Sequence, residues 1–377
     1  MEYRYIGNTK VSLLGYGAMR LPTDADGIID REKAAALLEK AYKSGVNYFD
    51  TAHPYMNFQS EPFVGEVMSR FPRDSYCLAT KMSAWLLENP EDTDRIFKKQ
   101  LENLRTDYID FYLLHALDSE KWKKLLDFGV VEYFEEKLKG GEIRKLGFSF
   151  HDEFEVFREI VTYRKWDFCQ LQLNYMDMET QAGEKGLRLA DELGIPVVVM
   201  EPVKGGTLAA LPEEAKKIFR DTDPGRSDAS WALRWIASQK NISVVLSGMS
   251  NMEQVNDNLQ SLGEFVPTDD RENAAVCAAR DAIRARTKVP CTGCGYCQPC
   301  PAGVKIPAVF RVWNNYGMYG DSGDSAWRWR GIKPEERPDN CMECGSCESA
   351  CPQKIDIRDM LKAAEAELKK YDEVSRK

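Results

Sequence analysis

The chain has no apolar run long enough to span a membrane, and Met1–Lys10 lacks the apolar core of a signal peptide. It also lacks an excess of positive charge, because 51 Lys and Arg residues stand against 60 Asp and Glu, a net charge of −9. Domains that bind nucleic acids usually carry a basic face. We therefore expect a cytoplasmic protein that binds neither a membrane nor a nucleic acid, in a compartment where thiols stay reduced.

The sequence also lacks the Gly-rich turn with which open α/β sheets bind dinucleotides. Gly15-Tyr16-Gly17 has no third glycine at the required position and no helix directly behind it. An open, doubly wound sheet is therefore the less favoured of two α/β folds.

Through residues 1–268, short apolar runs alternate with amphipathic stretches, which favours a closed (β/α)8 TIM barrel. The predicted strands are Leu13–Gly17, Tyr48–Asp50, Cys77–Thr80, Ile109–Leu113, Leu146–Phe150, Phe168–Leu173, Val197–Met200 and Val244–Leu246. The predicted helices include Arg31–Lys43, Pro62–Ser69, Asp92–Leu104, Tyr133–Lys139, Gly186–Leu193 and Ser227–Ser238. Ahead of the barrel, Tyr3–Ile6 and Val11–Leu13 flank Gly7-Asn8, which predicts a β-hairpin that plugs the bottom of the barrel.

Eight of the eleven cysteines lie in two short runs near the C-terminus. The second run has the spacing C-x2-C-x2-C-x3-C-P with which bacterial ferredoxins bind [4Fe–4S] clusters, and the first has one residue fewer before its last cysteine. In that arrangement three cysteines of a run bind one cluster and the fourth binds the other. The spacing predicts two clusters, one bound by Cys291, Cys294, Cys297 and Cys351 and the other by Cys300, Cys341, Cys344 and Cys347.

Two other interpretations of these cysteines are weaker. Zinc sites would suit the C-x2-C pairs, but zinc ribbons usually separate two such pairs by a longer loop. Disulfides are disfavoured where thiols stay reduced. Clusters of this kind also indicate a cell interior low in oxygen. The predicted domains are a barrel at 1–268, a connecting helix at 269–288 and a small ferredoxin-like iron–sulfur domain at 289–377, ending in an amphipathic helix at Ile357–Lys377.

Three successive predicted strands end in residue types that suit carbonyl reduction. Asp50 and Tyr55 follow the second barrel strand, Lys81 the third and His115 the fourth, and barrel enzymes carry their catalytic groups at these ends. An ammonium beside a tyrosine lowers the pKa of its hydroxyl. We therefore interpret Tyr55 as a general acid activated by Lys81, Asp50 as the partner of Lys81, and His115 as a donor that orients the substrate oxygen.

This constellation resembles that of the aldo-keto reductases, and the cysteine region resembles the branch of that family with a ferredoxin-like domain. The resemblance implies a nicotinamide cofactor bound across the barrel mouth, with Ser149 and Gln170 at the carboxamide and Met200 where an aromatic ring commonly stacks. The Val203-Lys204-Gly205-Gly206 turn would offer N–H groups and an ammonium to the pyrophosphate. The matching positions up to the pyrophosphate are Ser149, Gln170, Met200, Pro202, Val203 and Lys204, and those of the adenosine-phosphate segment are Gly248, Ser250, Gln254, Asp257 and Asn258.

The choice between NADH and NADPH depends on cations. NADPH-specific members often hold the 2′-phosphate with Lys or Arg, and neither occurs between Ser247 and Phe265. NADH is therefore favoured, unless Arg226 or another loop supplies the cation.

The sequence thus predicts an NAD(P)H-dependent reductase of aldehydes and ketones, or a dehydrogenase of alcohols, that carries two [4Fe–4S] clusters. Nicotinamide transfers two electrons as hydride whereas a cluster transfers one, so a direct relay would need a flavin, for which the sequence has no motif. The alternative is a cofactor-sensing or scaffold barrel whose iron–sulfur domain docks an electron-transfer partner.

Overall fold

The computed structural model describes residues 1–320 and 324–375. An antiparallel hairpin of β1 (Tyr3–Ile6) and β2 (Thr9–Ser12) precedes eight parallel strands that close into a barrel, in which the last strand pairs with the first. The barrel strands are β3 (Leu14–Gly17), β4 (Tyr48–Asp50), β5 (Cys77–Met82), β6 (Ile109–Leu117), β7 (Ile143–Phe150), β8 (Phe168–Gln172), β9 (Val197–Met200) and β10 (Ile242–Ser247). The predicted (β/α)8 barrel is therefore confirmed, and the open sheet is wrong.

The hairpin covers the N-terminal end of the barrel, as predicted. Ile6 and Val11 are fully buried in one apolar cluster with Tyr48 and Phe168, the first residues of β4 and β8. The Arg4 guanidinium donates hydrogen bonds to backbone carbonyls of Ile242 and Ala237. The hairpin thus keeps water from the N-terminal end of the barrel, and the polar groups of the site lie at its C-terminal end.

Gly15 on β3 is required by close packing inside the barrel. A Cβ at this position would lie 2.7 Å from side-chain atoms of both Val244 and Leu246 and 3.2 Å from Tyr48. The Gly15-Tyr16-Gly17 sequence therefore serves the approach of neighbouring strands, and it forms no dinucleotide-binding turn.

Helices follow the barrel strands and continue through the C-terminal region. Side-chain caps fix some of their starts: Asp30 accepts the N–H of Lys33 at the start of Arg31–Lys43, and Asn251 accepts that of Gln254 at the start of Met252–Gly263. The helices are α1 (Arg31–Lys43), α2 (Ser60–Met68), α3 (Asp92–Leu104), α4 (Ser119–Asp127), α5 (Val130–Gly140), α6 (Phe154–Tyr163), α7 (Gly183–Glu192), α8 (Glu213–Thr222), α9 (Asp228–Ala237), α10 (Met252–Gly263), α11 (Asp270–Arg284), α12 (Ile306–Tyr319), α13 (Ser325–Gly331), α14 (Ser346–Ala350) and α15 (Ile357–Ser375). No helix among residues 1–320 and 324–375 has both the length and the apolar character needed to cross a bilayer.

The chain forms two compact units, Met1–Gly205 with Ala229–Asn273, and Gly206–Asp228 with Ala274–Lys377. The first contains the barrel and its mouth, and the second contains both cysteine runs. The sequence-based boundaries after residues 268 and 288 stay a prediction.

The second unit has an apolar core of its own. Val309 and Trp313 of α12 and Leu361 and Leu368 of α15 are buried in one cluster, and Trp329 of α13 packs into it. The last helix starts where the sequence predicts and runs to Ser375, and residues 376 and 377 of the prediction lie outside the described part.

Candidate active site and cysteine cavities

A buried ion pair lies at the C-terminal end of β4 and β5. Asp50 is the last residue of β4, and Lys81 lies on β5 two residues beyond Ala79, the register partner of Asp50. Lys81 Nζ donates to Asp50 Oδ1 and to the Thr51 carbonyl, both at 2.6 Å. Lys81 is fully buried, and Asp50 is 3% exposed. The ammonium is therefore fixed in place.

Tyr55 lies directly against this ion pair. Lys81 Nζ lies 4.7 Å from the centre of the Tyr55 ring, and the ring centres of Tyr55 and His115 are 5.7 Å apart in an edge-on contact. The structure thus brings together all four residues that the sequence assigns to catalysis, although they come from three strand ends.

His115 has a partner that the sequence analysis missed. Ser83, which follows β5 directly, lies with its Oγ 2.7 Å from His115 Nδ1, and the Trp85 ring centre lies 4.9 Å from that of the imidazole. When the Ser83 hydroxyl donates to Nδ1, the proton of the neutral imidazole is on Nε2. His115 can then donate a hydrogen bond through Nε2.

The pKa of Tyr55 depends on its burial as well as on Lys81. Burial raises the pKa of Tyr55 above its ordinary value, and the opposing effect of Lys81 is smaller. Lys81 therefore lowers the pKa of Tyr55 as expected, but desolvation outweighs this effect and the Asp50 carboxylate raises the pKa further, so the pKa does not fall below its ordinary value.

The remaining groups of the site hold defined charges at neutral pH. Burial lowers the pKa of Lys81, but Asp50 and Tyr55 outweigh it and the pKa is raised. Burial and the nearby Lys81 hold the pKa of His115 well below its usual range. Lys81 is therefore an ammonium at neutral pH and His115 a neutral imidazole.

Two predicted cofactor residues, Ser149 on β7 and Gln170 on β8, are suited to bind an amide. The Ser149 hydroxyl oxygen accepts the N–H of Ala116, and Gln170 Nε2 donates only weakly, to Met200 Sδ at 3.5 Å. Gln170 Oε1 is buried and has no hydrogen-bond partner among the described residues. Such an atom costs about 1–3 kcal/mol, so Gln170 suits a bound carboxamide N–H.

The predicted pyrophosphate segment follows β9. Met200 ends the strand, Pro202 is buried and Val203 half-buried. Lys204 Nζ, however, contacts both carboxylate oxygens of Asp177 at 2.5 and 2.7 Å. Its ammonium is therefore engaged within the protein, contrary to the interpretation of Lys204 as an open phosphate ligand.

The predicted adenosine-phosphate segment surrounds the start of α10. Gln254 Oε1 accepts the N–H of Ser250, and Ser250 Oγ donates to the Arg20 carbonyl. Asn258 Nδ2 donates to Ser247 Oγ at the end of β10. Gly248 is exposed, and Asp257 lies on α10 between Gln254 and Asn258.

A buried carboxylate beneath the Tyr55 segment was also missed by the sequence analysis. Glu61 is fully buried, and its carboxylate bonds to Thr80, Gln100, Asn103 and His53 Nδ1. This network ties the turn after β4 to β5. The hydrogen bond with Glu61 fixes the orientation of the His53 ring.

The eight clustered cysteines line two cavities in the second unit. Cys291, Cys294, Cys297 and Cys351 line a cavity of about 330 Å³, and Cys300, Cys341, Cys344 and Cys347 line one of about 640 Å³, counting the open space at the mouths. Cys297 also borders the larger cavity.

The cysteines of these cavities suit a cofactor bound by thiolates. All eleven cysteines of the chain are free, so the disulfide interpretation is wrong for this structure. The thiols of each group line one cavity, and thiolates are the ligands of iron–sulfur clusters. The donors therefore fit [4Fe–4S] clusters, and the number of clusters and the cysteines assigned to each stay predictions.

Comparison with known families agrees with the barrel and the cysteine region. Residues 13–281 match the model of the aldo/keto reductase family, and residues 290–355 match that of the 4Fe-4S dicluster domain. The chain therefore belongs to the aldo-keto reductase family of oxidoreductases and carries a C-terminal 4Fe–4S dicluster domain.

Individual relatives cover the barrel. The oxidoreductase YqkF of Bacillus subtilis is 29% identical over 293 residues, 69% of this chain and 91% of its own. The NADH-specific methylglyoxal reductase of Escherichia coli is 26% identical over 317 residues, 68% of this chain and 92% of its own. The holo structure of the aldo-keto reductase AKR11C1 from Bacillus halodurans has a TM-score of 0.63 and 28% identity, covering 74% of this chain and 96% of that one.

Proposed function

We propose that the barrel reduces an aldehyde or ketone to an alcohol, or catalyses the reverse oxidation, with Tyr55 as the general acid. A bound nicotinamide supplies the hydride. The observation that carries this proposal is the contact of Tyr55 with the buried Lys81–Asp50 pair, beside a neutral His115.

The role of each residue in the proposed reaction follows from its charge. His115 donates from Nε2 to the substrate oxygen and orients it, because Ser83 occupies Nδ1. Tyr55 transfers its proton to that oxygen as negative charge develops there. The phenolate that remains is stabilised by the Lys81 ammonium, which Asp50 and the Thr51 carbonyl hold in position.

The proposed nicotinamide cofactor is NADH. Ser149 and Gln170 hold the carboxamide, and no Lys or Arg lies between Ser247 and Phe265 to pair with a 2′-phosphate. One relative of the barrel is named as NADH-specific. We expect NADH to bind at least as tightly as NADPH.

The two cavities would hold [4Fe–4S] clusters, one on Cys291, Cys294, Cys297 and Cys351, the other on Cys300, Cys341, Cys344 and Cys347. Such clusters transfer single electrons. Cys294, Cys344 and the side chains of Tyr296 and Met342 are exposed, which favours electron exchange with a partner protein. Because these thiolates must stay reduced, the proposed setting is the cytoplasm of a cell low in oxygen.

The test is NADH oxidation against a panel of aldehydes and ketones under anaerobic conditions, with the wild type and Tyr55→Phe. The variant keeps the ring and loses only the proton donor. Because general acid catalysis contributes about 10²–10⁴ in rate, turnover should fall at least a hundredfold while NADH affinity stays near that of the wild type. Full turnover of Tyr55→Phe would refute the mechanism, whereas a wild type that binds NADH and reduces none of the carbonyls would favour a cofactor-sensing barrel.

A further inference from the structure

An arginine that no sequence motif singles out lies between the two segments proposed to hold the cofactor phosphates. Arg20 Nη1 donates to the Gly205 carbonyl at 2.7 Å, and the Arg20 carbonyl accepts the Ser250 hydroxyl at 2.7 Å. The side chain therefore spans from the turn after β9 to the turn after β10. Both ends of this residue are held by hydrogen bonds.

Two glycines leave room for this arrangement. Gly205 has φ +66°, and a Cβ there would lie 3.3 Å from Arg20 Nη2. A Cβ at Gly248 would touch the Cβ and Cδ of Arg20 at 3.6 and 3.8 Å. The guanidinium thus lies against exposed backbone without side chains, where a ligand can approach it closely.

The charge of Arg20 is uncompensated, unlike that of the cations considered from the sequence. Across residues 1–320 and 324–375, Arg20 forms no ion pair with a carboxylate, and one guanidinium N–H donates to a carbonyl. Lys204, by contrast, is paired with Asp177, and Arg226 donates to Asp223. A guanidinium has five N–H donors in a planar fork that suits phosphate oxygens.

We propose that Arg20 binds the pyrophosphate of the nicotinamide dinucleotide, an inference that rests on the proposed function. The guanidinium supplies the positive charge that Lys204 cannot, since Asp177 neutralises that ammonium. The pyrophosphate is common to NADH and NADPH, so Arg20 serves both cofactors alike. Its fixed side chain reduces the conformational entropy lost when the cofactor binds.

The experiment measures the Kd of NADH and NADPH for the holoprotein by quenching of tryptophan fluorescence, under anaerobic conditions and at two salt concentrations. The variants are Arg20→Gln, Arg20→Lys and, as a control of equal charge change, Arg158→Gln, at an exposed arginine of α6 that pairs with Glu155. Because charge-assisted hydrogen bonds are the stronger ones, Arg20→Gln should weaken both cofactors about tenfold or more. Arg20→Lys should bind with an affinity between those of the wild type and Arg20→Gln, and Arg158→Gln should match the wild type. Added salt should weaken binding to the wild type more than to Arg20→Gln.

The outcomes separate this inference from the proposed function. If the wild type binds neither dinucleotide, the proposed function fails and the assignment of Arg20 falls with it. If the wild type binds NADH and Arg20→Gln binds it equally well, with unchanged iron content and circular dichroism, the assignment alone is wrong. A loss confined to NADPH would also overturn it, because it would assign Arg20 to the 2′-phosphate.

Discussion

Replacing Lys81 by Met tests the buried ion pair at the centre of the site. The substitution removes the ammonium and leaves the Asp50 carboxylate, 3% exposed, without its charged partner. Asp50 Oδ2 already has no hydrogen-bond partner among the described residues. Breaking a buried pair by removing one ion costs about 3–5 kcal/mol, and Lys81→Met should lose stability in this range at neutral pH.

The stability of Lys81→Met should depend on pH in a direction that follows from the pKa of Asp50. Burial already raises the pKa of Asp50, against the lowering effect of Lys81. Without the ammonium the pKa rises further, so the folded variant binds a proton more tightly than the unfolded chain. Its stability should therefore be highest at acidic pH and fall as the pH rises through the new pKa of Asp50.

The assay is urea unfolding of the holoprotein between pH 5 and 8, followed by circular dichroism and tryptophan fluorescence. The matched control is the double variant Asp50→Asn/Lys81→Met, which has no carboxylate at position 50 to titrate. Lys81→Met should lose stability with rising pH, and the double variant should lose much less. Equal pH dependence of the two variants, or a wild-type midpoint for Lys81→Met at pH 8, would refute the reasoning.

Two further predictions concern the clusters and the histidine. Anaerobically purified protein should contain about eight iron atoms per chain, and Cys344→Ala should contain about four. The control Cys277→Ala, at an exposed cysteine on α11, should keep about eight. Stoichiometric zinc without iron would contradict the cluster assignment. His115 stays neutral in the folded state because burial and Lys81 lower its pKa, whereas the unfolded chain takes up a proton near pH 6.5. Stability should therefore be lost as the pH falls below that value, by at most about 1.4 kcal/mol per pH unit from this group, and His115→Gln should remove this component in the same unfolding assay.

The residues at the strand ends could be predicted because, in a (β/α)8 barrel, the place of a residue along its strand fixes its place in the fold. Each apolar run is a strand, and the polar residue that follows it must lie at the barrel mouth. Asp50, Lys81 and His115 could thus be assigned without any contact being known. The grouping of the cysteines into two clusters also comes from their spacing, and it stays a prediction.

Contacts between distant segments could not be predicted. Ser83 reaches His115, Glu61 reaches Asn103, and Arg20 reaches Gly205 across long intervals of sequence. The pairing of Lys204 with Asp177 was hidden for the same reason. The direction of the pKa of Tyr55 depends on how deeply the site is buried, and sequence alone does not give that depth.

Helix α12 shows the corresponding limit for the fold. Ile306–Tyr319 lies between the two cysteine runs, where the sequence analysis predicts no helix. Val309, Phe310 and Trp313 instead form a buried face that packs in the core of the second unit. Tertiary packing therefore decides the helix where local propensity is weak.

In the proposed mechanism, hydride passes directly from the nicotinamide to the carbonyl carbon and Tyr55 supplies the proton. The most direct measurement uses NADH carrying deuterium at the transferred position of C4, an aldehyde that the wild type reduces, and mass spectrometry of the alcohol. The account predicts one deuterium on the former carbonyl carbon, with the clusters unchanged in their absorbance during turnover. An alcohol whose new C–H hydrogen comes from water, formed while the clusters are reduced and reoxidised, would contradict it.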